Sequence, residues 1–340
     1  MIANPSQITP TLRQGRNEFL DISKGILMFL VVWGHVIQFV AYGNEYYLDD
    51  PILKAIYTFH MPLFMAISGY LTYGSIQRHA WFPMVLRRFR QLIVPAFVGA
   101  AIFGVLFSIT AVLLQGADIR NTLAHLPLLV FKTASSFWFL WAIFLFTAIL
   151  ATLKVVRRDT PAFMAAVFVI YLLVPAMGKD YLFKFTLPFF CLGYIVARVG
   201  IPDFVMKRSF GIAATVSSLA CYLLWSQQDY IYVSQMSLSL QNLPHIFFRL
   251  VCGIVVSIVF LRGLSVVYAT RPLRIFTAIG RRSLEIYILH TVVLKVVPSV
   301  AHRLEPAVFA LAVAPVLALA FCVLCTVGTG FTHGGVPTSR

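Results

Sequence analysis

Residues 21–35 read DISKGILMFLVVWGH, and they place a carboxylate, an ammonium and an imidazole on a segment otherwise as apolar as lipid. Lys24 and His35 are eleven residues apart. At 3.6 residues per turn this spacing predicts one shared helix face, with the two groups about 16 Å apart along the axis. In a helix that crosses a bilayer, Lys24 then lies near one interface and His35 near mid-membrane. Ionisable groups at that depth are costly and mark function, unless they snorkel to the surface or serve as hydrogen-bonded packing. Asp21, three residues before Lys24, is placed to pair with it.

The rest of the composition agrees with a membrane setting. The chain has 340 residues, 60% of them hydrophobic and only 11% charged, which excludes a soluble enzyme built on one core. A net charge of +15 would suggest nucleic acid in a soluble protein, but here Lys and Arg punctuate apolar runs, so topology explains them. The five cysteines, at 191, 221, 252, 322 and 325, fall singly inside apolar stretches. They form no metal-binding pattern and read as small packing residues. The N-terminal MIANPSQITPTLRQGRNEF is polar and lacks the apolar core of a cleaved signal, so the first apolar helix is expected to be the membrane entry.

Apolar runs long enough to span about 30 Å of hydrocarbon occur near 25–43, 53–74, 92–114, 136–153, 162–177, 184–200, 210–226, 246–268, 284–301 and 306–328. With the N-terminus in the cytoplasm, eighteen Lys and Arg fall on the cytoplasmic side and six on the other, while Arg249, Arg262 and Lys295 fall inside spans. The expected fold is therefore an all-α, polytopic transmembrane helix bundle of about ten spans with both termini cytoplasmic. Residues 1–20 form a cytoplasmic segment, 21–330 the membrane domain and 331–340 a cytoplasmic tail. Loops are short apart from a cytoplasmic turn at 76–91 and outer segments at 115–135 and 227–245. The last is rich in Gln, Ser, Asn and Tyr without Lys or Arg. Such a surface can bind sugar hydroxyls, although a plain polar loop has the same composition.

Four further stretches carry chemistry. In YTFHMPLFMAISGYL, residues 57–71, His60 lies about two turns into the second span, level with His35 on the antiparallel first helix. Pro62 removes a backbone hydrogen bond, which His60 is placed to cap, and Ser68 and Gly69 permit close packing. In LRRFRQLIVP, residues 86–95, Arg87 and Arg90 share a helix face while Arg88 points elsewhere. Two guanidinium forks suit a polyphosphate, and a positive-inside anchor on lipid headgroups uses the same residues. In SSFWFLWAIF, residues 135–144, Trp138 and Trp141 suit an aromatic belt. Finally, IGRRSLEIYILH, residues 279–290, carries Ser283, Glu285, Tyr287 and His290 into the ninth span, with Ser283, Tyr287 and His290 on one face. No Walker loop or dinucleotide fingerprint occurs.

Taken together and in order, KGILMFLVVWGH, YTFHMPLFMAISGYL, the Arg87 and Arg90 pair, WFLWAIF and IGRRSLEIYILH resemble the membrane acyltransferase 3 family. Within it the chain is similar to the fucose 4-O-acetylase-like and polysaccharide O-acetyltransferase branch. The resemblance covers essentially all ten spans. It implies a bacterial inner-membrane enzyme that takes an acyl group, usually acetyl from cytoplasmic acetyl-CoA, to a glycan hydroxyl such as that of O-antigen or exopolysaccharide on the periplasmic side. The family's basic residue and histidine correspond to Lys24 and His35, and its Arg-x-x-Arg motif to Arg87 and Arg90. Lys24 replaces the more common Arg, which keeps the charge and loses the bidentate fork. The extra periplasmic domain of some members has no counterpart in these residues, so acceptor choice is left to the bundle, its outer loops or a partner.

On this reading Arg87, Arg90 and Lys24 bind the CoA end, and no metal is required. His35 serves as general base or as transient acyl acceptor, alternatives that sequence does not separate. His60 is a second base or oxyanion donor, and Glu285 or Tyr287 orients an imidazole or donates to the oxyanion. A secondary transporter or lipid-linked glycan flippase is the competing class, with buried His and Glu relaying protons. Such proteins commonly show internal repeats, and no second copy of the first-span pattern is found.

Overall fold

The structure, a computed structural model, describes residues 17–43, 45–175, 178–236, 238–270, 273–296 and 306–330. The tail 331–340, most of the N-terminal segment, and Arg13, Arg16, Arg271, Arg303 and Arg340 lie outside the described residues.

No strand occurs among the described residues. In chain order the helices of the first half are α1 (Glu18–Val36), α2 (Pro51–Tyr57), α3 (His60–Arg78), α4 (Trp81–Arg88), α5 (Val94–Gln115), α6 (Ile119–Ser136), α7 (Trp138–Val155) and α8 (Pro161–Leu173). They are followed by α9 (Asp180–Val199), α10 (Asp203–Met206), α11 (Arg208–Leu224), α12 (Ile231–Ser234) and α13 (Leu243–Thr270). Then come α14 (Arg274–Arg281), α15 (Ser283–Val296), α16 (Pro306–Val308) and α17 (Ala314–Gly330).

By length and composition, 7 helical segments among the described residues can cross a membrane: Glu18–Ala41, Pro51–Arg78, Trp81–Leu113, Trp138–Val155, Asp180–Val199, Leu243–Thr270 and Phe309–Val327. Of the other three expected spans, two appear as the shorter apolar helices α8 and α11, and α15 covers the described part of 284–301, whose residues 297–301 lie outside the described residues. Large apolar side chains face outward along these helices, as at Ile212, Val216, Leu219 and Leu223 of α11, spaced to make one stripe. Such a stripe is stable against lipid and costly against water.

The segment 115–135, expected as a loop, folds mostly as α6. Gly116, at φ +67, ends α5 in the left-handed region. Asp118 then caps α6 by accepting from Asn121 N at 2.8 Å, so helix stop and helix start are packed into three residues. The expected turn at 76–91 contains a break at His79 and Ala80, then α4, and a five-residue π-helical turn, Phe89–Ile93, that runs into α5.

The chain divides into two compact units, one of Met1–Ile67 with Arg198–Arg340, the other of Ser68–Ala197. In the first, Asn17 caps α1 by accepting from Leu20 N, and Glu18 and Asp21 lie in its first turn, where carboxylates favour the helix dipole. Asp50 caps α2, accepting from Ile52 N and Leu53 N, with Pro51 at the first helical position. The helix breaks at Thr58 and Phe59, four residues before the point where Pro62 and Leu63 follow: Pro62 has no N–H to give to the Thr58 carbonyl. In the second unit, a Cβ at Gly69 would lie 1.9 Å from the Phe190 carbonyl oxygen, so α3 and α9 meet backbone to backbone, the close packing expected there. Trp141 donates to the Ala134 carbonyl at 3.1 Å and its ring packs edge-on to Phe97, uses internal to that unit.

Candidate active site

His35 occupies the last turn of α1, and the chain continues directly into a π-helical turn, Ile37–Ala41. Such turns widen a helix and re-aim side chains, and they recur at functional positions. Here Gln38 comes round so that its Oε1 lies 3.2 Å from His35 Nδ1. Nδ1–H therefore donates to the amide oxygen, and the ring's lone pair is on Nε2. The imidazole stacks on Phe39, four residues on, at 5.6 Å between centroids.

His35 also stacks on His290, with centroids 5.3 Å apart and planes inclined by 27°. His290 is buried, and its Nδ1–H donates to the Ile286 carbonyl one turn back at 3.0 Å. Its Nε2 lies 3.4 Å from Thr291 Oγ1. Tyr287, one turn earlier on the same face, packs against His290 at 5.4 Å. The spacing of Ser283, Tyr287 and His290 thus reads correctly as one face. Glu285 lies about 140° round the helix from His290, is half-buried, and joins no ion pair or hydrogen bond among the described residues.

His60 joins this group through Tyr57. The Tyr57 hydroxyl donates to Gln38 Oε1 at 3.4 Å, the same oxygen that faces His35, and the Tyr57 ring lies 5.0 Å from that of His60. His60 Nδ1–H donates to the Ile56 carbonyl at 2.8 Å, across the break ahead of Pro62, and not to the Thr58 carbonyl that Pro62 leaves without an N–H. All three histidines thus carry the proton on Nδ1 and direct basicity to Nε2. Gln38, Tyr57 and His290 complete the group and were not singled out as site residues from sequence, although the spacing of His290 from Tyr287 pointed to it.

At the other end of α1, Lys24 Nζ is 2.8 Å from Asp21 Oδ1, the expected pair. A second cation, Arg281, reaches the other carboxylate oxygen with Nε at 3.7 Å. Its arrival depends on two glycines. A Cβ on Gly25 would lie 1.9 Å from the Phe276 carbonyl oxygen, and one on Gly280 would lie 1.8 Å from the Asp21 carbonyl oxygen. α1 and α14 therefore pack antiparallel with their backbones touching, which only residues without side chains allow. The chain reverses at Arg281 and Arg282, and α15 returns beside α1 to bring His290 to His35. In the sequence Arg281 stands out only as one of the eighteen cytoplasmic cations, within the GRR that precedes α15.

In the second unit Arg87 and Arg90 are exposed. Arg87 Nη1 donates to His79 Nε2 at 3.2 Å, while His79 Nδ1–H donates to the Ser75 carbonyl. Arg88 turns inward: Nη2 reaches Thr72 Oγ1 at 3.5 Å, and its buried Nε has no partner among the described residues. Among the described residues no group of three or more His, Cys, Asp or Glu side chains gathers to hold a metal ion.

Comparison with known proteins places this geometry in context. A family described as an acyltransferase domain matches residues 17–327. A protein named Nodulation protein NolL from Mesorhizobium japonicum is 30% identical over 298 residues, covering 84% of this chain and 79% of its own length. A protein of the same name from Sinorhizobium fredii is 33% identical over 225 residues, covering 64% of this chain and 60% of its own. No solved structure matches the chain.

Proposed function

The chain belongs to the acyltransferase 3 family, and from that membership we propose that it moves an acetyl group, or another short acyl group such as succinyl, from cytoplasmic acyl-CoA to a hydroxyl of a cell-envelope glycan. It is an enzyme that transfers acyl groups. The donor, the glycan acceptor, and a bacterial inner membrane with the Lys24 end of α1 toward the cytoplasm are our reading.

The observation that carries it is the stacked pair of His35, in the last turn of α1 and bonded to Gln38, with His290. An imidazole with its proton fixed on Nδ1 presents Nε2 to accept a proton. In the reaction we assign, Nε2 of His35 takes the proton of the acceptor hydroxyl as that oxygen attacks the thioester carbonyl. The carbon–sulfur bond breaks, the thiolate leaves and is protonated from the imidazolium, and the products are an O-acyl ester and free CoA. A route through an acyl-imidazole on His35 uses the same atoms in two steps. The Tyr57 hydroxyl is the donor for a developing oxyanion, His60, with its proton committed to the Ile56 carbonyl, serves as a second base through Nε2, and Tyr287 holds His290 in place. Glu285 is kept as a candidate to orient an imidazole or donate to the oxyanion, from its place on α15.

We assign the donor's phosphates to the exposed Arg87 and Arg90 of the second unit, and Lys24, in the first unit, is a separate candidate cation. The test is transfer of label from acetyl-CoA to glycan in membranes containing wild-type protein, His35→Ala, or Arg87→Ala with Arg90→Ala, at matched protein levels. The wild type labels glycan, His35→Ala binds acetyl-CoA without transfer, and the double variant loses acetyl-CoA use. Wild-type protein that neither transfers acetyl nor binds acetyl-CoA would refute the reading and turn attention to transport.

A further inference from the structure

The segment from Trp225 to Gln235 is more than a polar loop. Ser226 and Asp229 form a reciprocal cap, with Ser226 N and Oγ donating to Asp229 Oδ2 at 2.8 and 2.7 Å. The other carboxylate oxygen accepts from His245 Nδ1 at 2.6 Å. Gln227 Nε2 donates to Asp49 Oδ1 at 2.6 Å, which fastens the segment above α2. Gln235 takes a φ of +54, a conformation that costs free energy in a non-glycine residue, and its carbonyl accepts from Arg249 Nη2 at 2.6 Å. Arg249 Nε donates to the His245 carbonyl at 3.1 Å.

This effort fixes a guanidinium that is only 1% exposed and leaves its Nη1 with no partner among the described residues. Two residues of the same segment share the condition. Tyr230 Oη and Trp225 Nε1 are buried and also lack partners, and their rings meet edge-on at 5.7 Å. Burying one donor without a partner costs about 1–3 kcal/mol, so three such donors on this segment and the helix it is bonded to point to a ligand that supplies oxygen. The cluster adjoins the reaction centre, because the Tyr230 ring lies 5.9 Å from that of Tyr57.

We propose that Trp225, Tyr230 and Arg249, held by the Asp229 and His245 pair, form the acceptor subsite and take the neutral, hydroxyl-bearing end of a sugar. The proposal rests on the acyl-transfer reading and adds the acceptor's chemical class. A neutral sugar is favoured over an acidic one because Asp229, Asp49 and Asp50 crowd the same place: burial first, then Asp50 and Asp49, push the Tyr230 phenol well above its usual range. That phenol stays protonated and donates. The aromatic faces of Tyr57, Tyr230 and Tyr232 suit the apolar face of a sugar ring.

The experiment uses detergent-solubilised full-length protein and equilibrium dialysis of two labelled oligosaccharide fractions, neutral and uronic acid-bearing, released from cells that lack the protein. Wild-type protein binds the neutral fraction more tightly than the acidic one. Tyr230→Phe and Trp225→Phe each weaken that binding about fivefold, and Arg249→Leu abolishes it. Acetyl-CoA binding, measured alongside, stays within about twofold in the two conservative variants and verifies their fold even if Arg249→Leu does not assemble. Unchanged neutral-glycan binding in both conservative variants, no neutral-glycan binding by the wild type, or preference for the acidic fraction overturns the proposal. Intact glycan binding with no acetyl-CoA binding and no acetyl transfer counts instead against the acyl-transfer reading.

Discussion

The imidazoles of His35 and His290 stack at 5.3 Å although they come from opposite ends of the chain. Their bonds to Gln38 and to the Ile286 carbonyl fix which nitrogen of each ring is basic. The two rings are expected to act as one unit. His35→Ala should lower kcat for acetyl transfer about a thousandfold and His290→Ala about thirtyfold. In the double variant, kcat should fall no further than in His35→Ala, as kinetics at saturating acetyl-CoA would reveal.

Gln38 is a positioning residue. Gln38→Leu removes the acceptor for His35 Nδ1 and for the Tyr57 hydroxyl, and should cost about tenfold in kcat with the KM for acetyl-CoA unchanged. Gln38→Glu retains an acceptor oxygen and should recover part of the loss. Equal loss in both variants would count against a positioning role.

Asp21 ties two cations to one carboxylate. Asp21→Asn should raise the KM for acetyl-CoA about fivefold, since Lys24 and Arg281 would no longer be held. Stability should fall by only about 1 kcal/mol, because Lys24 and Arg281 side chains are 18% and 53% exposed and solvent screens the pair. Thermal unfolding in detergent and steady-state kinetics read the two effects separately.

Arg87 and Arg90 are exposed, so their hold on an anionic donor should depend on salt. Each change to Ala is expected to raise the KM for acetyl-CoA about tenfold, and the wild-type KM should climb toward the variant values between about 0.05 and 0.5 M salt. Arg88→Ala should instead lower folded yield, because its guanidinium is turned inward.

The glycines at the α1 and α14 contact should tolerate no side chain. Gly25→Ala and Gly280→Ala each place a Cβ under 2 Å from a backbone oxygen and should destabilise by about 3 kcal/mol or more. Gly263→Ala, whose Cβ meets nothing within 4 Å in the interior of α13, should be neutral or stabilising by up to about 1 kcal/mol. Unfolding midpoints of the three variants decide this.

Local patterns made much of this legible. Hydropathy located the long helices, the 3.6-residue period put Tyr287 and His290 on one face, and the three-residue spacing paired Asp21 with Lys24. Helix α6 was missed because Asn121, His125 and Pro127 dilute its apolar pattern, although Gly116 and Asp118 mark its boundary. What local pattern does not contain is contact across the chain. Arg281 reaches Asp21, and Tyr230 reaches Tyr57, only after the intervening helices have packed. Arg249 showed in sequence only as a charge inside an apolar span; its partners come from Gln235 and His245.

Because α14 touches α1 without side chains between them, and α15 turns back from that contact, the distance from the Asp21 carboxylate to the stacked rings is set by backbone alone. The two helices act as a fixed gauge. One residue inserted between Lys24 and His35 would lengthen it by about 1.5 Å and swing the ring by about 100°, so the gauge can be broken by a single step and has no intermediate setting.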